Sequence, residues 1–269
     1  MPLDGLEPVP INPVTQCRLL RQLENGNLLS LNMYEETAES ISDLRNNNNN
    51  MEQADEATRD ILGPYVLQAI RRKQLISKRF YDICDPAHVD NTTQGASQSN
   101  SRILGRVVSN SVGTIYSVLV SADSSSDDKS RWTEVGSILY EVNILGKKGP
   151  RKMTVLVYAT GQTASSQDTR SLAERYKQNE DDPNIIVLCN RIPEWCEESE
   201  AYVLDFGGRV RIPSVKNFQL VHPEENDYMV LQFGRVGQNS FTLDLKFPMT
   251  PLLALGIAVS SMDRKLACS

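Results

Sequence analysis

Residues 249–262, MTPLLALGIAVSSM, decide the fold of this chain. Pro251 suits the first turn of a helix, and Thr250 before it is a residue that caps helices. No position from 252 to 259 is polar, so a helix here has no face to turn to water and must be surrounded by protein or lipid. About 12 residues at about 1.5 Å each reach about 18 Å, well short of the ~30 Å hydrocarbon core of a bilayer. The segment therefore predicts a helix enclosed by the protein's own sheet.

The chain before this helix is dominated by short strand patterns with turn residues between them. Residues 14–20 and 28–34 flank a turn at 24–27 and predict a hairpin. Further strands are predicted at 65–70, 80–84, 103–108, 114–121, 136–143, 153–158, 185–190, 201–206, 217–221, 228–234 and 241–247, and a helix at 169–178. Many short strands with few helices favour a sandwich or a barrel. A helix that is apolar all round favours a closed barrel with that helix inside it.

Acidic residues are concentrated in one segment. The chain has 269 residues, 28 Lys+Arg against 34 Asp+Glu, and a net charge of −6. Residues 35–62 hold eight acids, two bases and an asparagine run at 46–50, so 26 bases and 26 acids remain outside them. Such a tract has too little to bury, which predicts a disordered insertion. We expect a single domain over 14–269 that contains this insertion and follows a flexible lead-in at 1–13.

The composition disfavours several classes of protein. No apolar run reaches the roughly 18 to 20 residues of a membrane span, and residues 1–13 lack the regions of a signal peptide. Five cysteines in no metal-binding spacing predict free thiols in the cytoplasm. Two histidines outside any motif supply neither a metal site nor a catalytic triad, and no nucleotide-binding glycine loop occurs. We therefore expect no enzyme activity, no cofactor and no bound metal.

Long motifs follow one another in the second half of the chain. Residues 143–153 read NILGKKGPRKM, 188–195 read LCNRIPEW, 202–210 read YVLDFGGRV and 214–221 read SVKNFQLV. The shorter stretches that accompany them are 232–236, 241–244 and 260–268. In these motifs and their order the chain resembles the C-terminal domain of the tubby and tubby-like protein family. The resemblance is strong over 102–269 and weaker over 14–34 and 64–86.

The resemblance implies both a fold and a function. The fold would be mainly β, a twelve-stranded closed antiparallel barrel around a central hydrophobic C-terminal helix, which agrees with the reading of 249–262. The implied function is binding of phosphoinositides, chiefly phosphatidylinositol 4,5-bisphosphate, at the inner face of the plasma membrane. Family members act as membrane-tethered adaptors, and some carry membrane-protein cargo into cilia. We expect a monomer that is cytoplasmic and peripheral on the plasma membrane, with the cilium or nucleus as further locations.

Basic residues that could hold an inositol phosphate lie on either side of residue 75. Such a headgroup needs convergent Lys or Arg donors, and Arg offers a two-pronged contact to phosphate oxygens. The nearby basic residues, with no acid among them, are Arg71, Arg72, Lys73, Lys78 and Arg79. This cluster is a candidate headgroup site, although Arg71, Arg72, Lys73 and Lys78 are each equally well explained as a solvated residue at the barrel rim.

The resemblance identifies two more arginines as candidate site residues and one position at which this chain differs from the family. The family's GKxRSN segment reads GRVVSN at 105–110, so Arg106 takes its first basic position and Val108 replaces its second, on the same side of a strand. The family also has a basic residue after its third strand, where either Arg71 or Arg72 falls. A further family arginine corresponds best to Arg131. Arg79 is a candidate to compensate for Val108.

Two other functions stay open. Val108 is compatible with a scaffold that has lost lipid binding, which liposome flotation would reveal. Family members have also been proposed to leave the membrane and act in transcription, a role that salt-dependent DNA binding would test. The net acidity of the chain and its single small basic cluster do not favour nucleic acid as a partner.

Overall fold

The computed structural model of the chain describes most of its length. The described residues are 6–9, 14–38, 62–72, 79–86, 102–121, 132–141, 152–159, 170–198 and 201–263. The asparagine run and most of the acidic segment predicted to be disordered, residues 39–61, lie outside these ranges.

Twelve strands form a closed antiparallel barrel. Around it the order is β1-β14-β13-β12-β9-β8-β7-β6-β5-β4-β3-β2, so the first and last strands of the chain are neighbours. The barrel strands are β1 Thr15–Glu24, β2 Asn27–Glu35, β3 Tyr65–Arg72, β4 Phe80–Cys84, β5 Ile103–Ser109, β6 Ile115–Ser121, β7 Trp132–Tyr140, β8 Met153–Tyr158, β9 Ile185–Asn190, β12 Phe218–His222, β13 Glu225–Arg235 and β14 Ser240–Leu245. The predicted barrel and its opening hairpin are confirmed.

Among the described residues, three elements lie outside the barrel wall. A short helix, α1 (Leu172–Gln178), packs Leu172 against Leu156, Tyr158 and Ile185 on the outer side of β8 and β9. A small hairpin, β10 (Glu194–Cys196) with β11 (Ala201–Val203), stands on the connection from β9 to β12. The strand predicted at 201–206 is therefore only three residues long and belongs to this hairpin instead of the barrel.

The second helix, α2 (Pro251–Met262), fills the barrel, as predicted from its sequence. All twelve of its residues are buried. The Thr250 hydroxyl caps its start by accepting a hydrogen bond from the Leu253 N–H at 3.1 Å. Its two serines are satisfied within the helix, because Ser260 and Ser261 donate to the carbonyls three residues earlier. The helix therefore leaves few polar groups to satisfy in an apolar interior.

Small residues let the helix and the wall approach closely. A Cβ added at Gly105 in β5 would lie 2.8 Å from both the Leu119 carbonyl oxygen and Leu252 Cδ1. A Cβ added at Gly256 in α2 would lie 2.8 Å from Val118 Cγ2. Since real Cβ atoms do not come this close, glycine at these positions sets the distance between the helix and strands β5 and β6.

The edges of two predicted segments differ from the structure. The acidic segment was expected to start at residue 35, but Glu35 ends β2 and Glu36 is buried against two arginines. The lead-in at 1–13 was expected to be flexible, but Val9 is buried in the core and its N–H donates to the Met249 carbonyl at 2.9 Å. Apolar contact and charge pairing at these single positions outweigh the composition of the segments around them.

Among the described residues, no helix is long and apolar enough to cross a membrane.

Candidate functional site

The outer face of three neighbouring strands brings two of the predicted arginines together. Arg72 ends β3 opposite Phe80 at the start of β4, and Phe80 lies opposite Val108 in β5. Two residues further along β4, Asp82 lies opposite Arg106. Side chains alternate across a strand, so these five residues share the outer face while their neighbours point into the barrel.

One buried carboxylate binds both arginines. Asp82 Oδ1 accepts a hydrogen bond from Arg106 Nε at 2.6 Å, and Asp82 Oδ2 accepts one from Arg72 Nε at 2.7 Å. The Asp82 side chain is 3% exposed, whereas those of Arg72 and Arg106 are 35% and 18% exposed. Two positive charges and one negative charge give this group, which we call the Arg72–Asp82–Arg106 triad, a net charge of +1. Charge-assisted bonds hold both guanidinium groups in fixed positions.

Two aromatic rings hold the guanidinium of Arg106. Its Cζ lies 4.8 Å from the centroid of the Phe80 ring and 4.8 Å from that of the Trp132 ring. Both distances fall in the range of a cation–π contact. Trp132 begins β7, so this contact also ties the triad to a strand further round the barrel.

The remaining described arginines of the predicted cluster point elsewhere. Arg71 lies opposite Tyr81 in the β3–β4 pair, on the interior face at the end of the barrel. Arg79 Nη1 donates to Asp263 Oδ2 at 3.1 Å. The sequence left the choice between Arg71 and Arg72 open, and of the two it is Arg72 that lies beside Arg106 on the outer face. Arg79 is bound to Asp263, so its guanidinium does not substitute for the basic residue that Val108 replaces.

Asp263, which follows the last residue of α2, is surrounded by donors. It accepts hydrogen bonds from the hydroxyls of Tyr81 and Tyr116, both at 2.9 Å, as well as from Arg79. Burial raises the pKa of both tyrosines, and the adjacent Asp263 carboxylate adds to the shift. A carboxylate at the C-terminus of a helix is opposed by the helix dipole, and these three donors offset that. The cluster anchors α2 to the wall of the barrel.

Three predicted site residues, Lys73, Lys78 and Arg131, lie outside the described residues. Lys73 follows β3 directly, Lys78 comes two residues before β4, and Arg131 precedes Trp132 of β7. In sequence, each is therefore adjacent to an element that contributes to the triad or to its aromatic contacts.

Sequence reasoning missed Asp82. Residues 80–84 read FYDIC, and the one carboxylate in an otherwise apolar strand was a usable signal. Pairing it with Arg106 requires the register between β4 and β5, which the sequence alone does not state.

A second group of charged residues lies where the first and last strands of the barrel, β1 and β14, pair. Arg209 donates to both Asp244 oxygens at 2.6 and 3.0 Å and to Glu36 Oε2 at 2.6 Å. Arg18 Nη2 lies 2.6 Å from Glu36 Oε1. Burial raises the pKa of Asp244, and the bonds from Arg209 oppose this shift. This group joins β1, β14 and the chain just after β2 to the connection that crosses the outside of the barrel, so we assign it a structural role.

The described residues hold no group of three or more His, Cys, Asp or Glu side chains arranged to bind a metal ion. Cys17 and Cys84 are buried thiols, and burial raises the pKa of the Cys17 thiol well above its usual value.

Comparisons with known proteins agree with the fold. The Tub family model matches residues 6–264. Tubby-related protein 2 of Mus musculus is 33% identical over 281 aligned residues, which cover 97% of this chain and 44% of that protein. Protein king tubby of Drosophila pseudoobscura pseudoobscura is 37% identical, covering 76% of this chain and 44% of that protein. Tubby protein homolog 1 of Caenorhabditis elegans is 34% identical, covering 76% of this chain and 49% of its own length. This chain thus spans less than half of each of these relatives, and it belongs to the Tub family.

Proposed function

We propose that this chain binds phosphoinositide headgroups, chiefly phosphatidylinositol 4,5-bisphosphate, and so attaches to the inner face of the plasma membrane. The observation that supports this is the Arg72–Asp82–Arg106 triad, in which one carboxylate fixes two partly exposed guanidinium groups side by side. A guanidinium has five N–H donors. Both guanidinium groups are partly exposed beside Asp82, where a phosphate group can approach them.

The chemistry of the triad is that of a phosphate-binding site. Arginine binds phosphate more specifically than lysine does, since its planar fork matches two oxygens at once. Arg106 is further oriented by the rings of Phe80 and Trp132, so it loses little side-chain freedom when a ligand binds. In this proposal Arg106 and Arg72 contact the headgroup. Arg131, Lys73 and Lys78 attract the anionic membrane surface. Arg71 and Arg79 lie at the end of the same barrel.

The attached protein would act as an adaptor for membrane-protein cargo, including cargo delivered to cilia. In this proposal it works as a monomer and by binding alone, without catalysis. The relatives named above belong to the same family.

Flotation of the full chain with liposomes tests the headgroup assignment. We expect it to float with vesicles that contain phosphatidylinositol 4,5-bisphosphate and to stay unbound without this lipid. Arg106→Ala should weaken binding by about 1.5 to 3 kcal/mol, or about 10- to 150-fold, as expected for a lost hydrogen bond to a charged group. Arg211→Ala, which removes an exposed arginine on the β9–β12 connection, is the matched control.

Each result has a defined meaning. Unchanged flotation of Arg106→Ala would remove the triad as the headgroup site. Failure of the unmodified chain to float would leave a scaffold without lipid binding. Val108→Arg places a third guanidinium beside Phe80 on the same outer face and should strengthen binding. No gain from that change would mean that another residue already supplies the second phosphate contact.

A further inference from the structure

Asp82 lies at the centre of the triad, between its two arginines. We propose that Asp82 is the selectivity residue of this site. It orders Arg72 and Arg106 for the phosphomonoester groups of a lipid headgroup, and its own charge weakens the attraction of singly charged lipids. The inference rests on the proposed function, because it concerns the same arginines, but part of its test needs no lipid.

Each arginine is held by its own oxygen of Asp82. Oδ1 accepts from Arg106 Nε at 2.6 Å, and Oδ2 accepts from Arg72 Nε at 2.7 Å. Backbone pairing already joins the three strands at this point, since Asp82 lies opposite Ile70 in β3 and opposite Arg106 in β5. The strands are therefore paired without the Asp82 side chain, and its two bonds add a fixed position for each guanidinium.

A fixed guanidinium favours binding because it has little side-chain freedom left to lose. Ordering a long side chain on binding lowers affinity, and for two arginines the loss amounts to about 5- to 150-fold. Asp82 orders both arginines before a ligand arrives, and the rings of Phe80 and Trp132 add to the order of Arg106. Asp82 is thus a positioning residue that acts through the arginines.

The charge of Asp82 discriminates between kinds of phosphate. With this carboxylate the triad has a net charge of +1, whereas the two arginines alone would have +2. A lipid with a single negative charge, such as phosphatidylserine, is attracted only weakly by a net charge of +1 in water. A phosphomonoester carries about −1.5 to −2 near pH 7, and its oxygens match the forks of two arginines. The triad therefore favours phosphomonoester headgroups over singly charged ones.

Neutralising Asp82 separates positioning from simple electrostatics. One extra unit charge about 6 Å from a phosphate in water strengthens binding by only about threefold, and by less in salt. Loss of order in two arginines outweighs this gain. Asp82→Asn should therefore bind phosphatidylinositol 4,5-bisphosphate vesicles about tenfold more weakly, although the chain has become more positive. Its binding to phosphatidylserine vesicles should rise, so the ratio of the two affinities falls.

Two further variants control for net charge and for folding. Asp227→Asn removes a fully exposed carboxylate from β13 and changes the net charge by the same unit, so its ratio of affinities should stay within about twofold of the unmodified chain. Asp82→Glu keeps the charge of the triad but lengthens the side chain by one methylene. It should weaken binding to phosphatidylinositol 4,5-bisphosphate without strengthening binding to phosphatidylserine. Unfolding curves establish which variants are folded, and Asp82→Glu provides the test if Asp82→Asn does not fold.

Competition with a soluble headgroup shows whether the phosphates themselves are recognised. Inositol 1,4,5-trisphosphate should release the unmodified chain from phosphatidylinositol 4,5-bisphosphate vesicles. Its inhibition constant should be about tenfold higher for Asp82→Asn. Flotation that excess inositol trisphosphate leaves unchanged would mean that the chain binds the membrane surface instead, and it would overturn the selectivity role.

The fluorescence of Trp132 tests the positioning without lipid. Trp195→Phe leaves Trp132 as the only tryptophan, and the centroid of its ring lies 4.8 Å from Arg106 Cζ. Adding Asp82→Asn should release Arg106 from the ring and increase the quenching of Trp132 by acrylamide. Adding Asp227→Asn instead should leave the quenching unchanged.

Three results would overturn the proposal. Equal or tighter binding of folded Asp82→Asn to phosphatidylinositol 4,5-bisphosphate vesicles would show that the carboxylate only opposes the ligand. An unchanged ratio of affinities would remove the selectivity role. Unchanged quenching of Trp132 would show that Arg106 keeps its position without Asp82. If the unmodified chain itself does not float with these vesicles, the proposed function and the selectivity role both fail, whereas the fluorescence measurement still decides whether Asp82 positions Arg106.

Discussion

Glu134 in β7 is a partly buried carboxylate, and it differs from the buried Asp82 and Asp244 in having no arginine or lysine partner among the described residues. Its Oε2 accepts a hydrogen bond from the Leu172 N–H at the start of α1, at 2.8 Å. Its Oε1 bonds to no described residue. Burial raises the pKa of Glu134, and the Ser117 hydroxyl and Leu172 N–H oppose the shift only in part. By contrast, Asp82 and Asp244 are each bound to arginine.

This difference predicts a pH-dependent stability. A carboxyl group whose pKa is raised by folding stabilises the folded state below its unfolded pKa, near 4.5, and loses that contribution as pH rises through the folded pKa. Glu134→Gln keeps an oxygen for the Leu172 N–H but carries no charge. The free energy of unfolding of Glu134→Gln relative to the unmodified chain should therefore increase as pH rises above about 4.5.

Denaturant unfolding at a series of pH values measures this effect. Glu141→Gln, which removes a largely exposed carboxylate just after the same strand, is the control for loss of a negative charge. Parallel stability curves for the unmodified chain and Glu134→Gln would show that the Glu134 carboxylate contributes nothing to the pH dependence.

At the scale of the element, the fit of α2 in the barrel depends on glycines in the wall as much as on the helix itself. The Cβ positions of Gly105 and Gly136 would lie 2.8 and 2.5 Å from Leu252 Cδ1 and Leu253 Cδ1, respectively. A leucine side chain can change rotamer to relieve such a contact. At Gly105 the Leu119 carbonyl oxygen lies equally close, and the β5–β6 ladder holds that backbone group in place.

Gly105→Ala should therefore destabilise the barrel by about 1 to 3 kcal/mol, the range for overpacking a core. Chemical denaturation would measure the loss. Gly237→Ala, where the added Cβ would meet Ser240 Cβ at 3.3 Å, should be milder. Equal effects at the two positions would mean that the wall of the barrel can move away from α2.

At the scale of the whole molecule, the helix and the wall need each other. The wall presents an apolar interior, in which residues such as Leu19, Ile83, Leu220 and Phe233 are at most 1% exposed. The helix occupies that interior with twelve buried residues. Neither part has another surface against which to bury this area, so the barrel should not exist as an empty shell.

Deletion of residues 252–269 should therefore abolish cooperative folding. The expected signature is loss of the near-ultraviolet circular dichroism of packed aromatic residues, together with loss of a cooperative denaturant transition. A soluble truncated chain with a sharp transition and native-like aromatic signals would show that the wall is stable without its helix.

The helices and strands could largely be predicted from local sequence patterns, whereas the residues of the site could be predicted only in part. Helix α2 and most barrel strands follow from residue periodicity, which is a property of neighbouring positions. The two arginines of the triad were named from the sequence, but Arg72 could not be separated from Arg71, because one residue of register decides which face each occupies. The burial of Glu36 could not be predicted, because its partner Arg209 is 173 residues away in the sequence.

By itself, the sequence determined that an entirely apolar segment ends the described chain and that alternating strands precede it, which together require a closed sheet around a helix. It also contained the motifs of the Tub family. Only the tertiary structure decided that Asp82 joins Arg72 to Arg106 and that Arg79 binds Asp263. The reason is physical: periodicity is local, whereas the pairing of charges depends on strand register and on which faces the closed barrel covers.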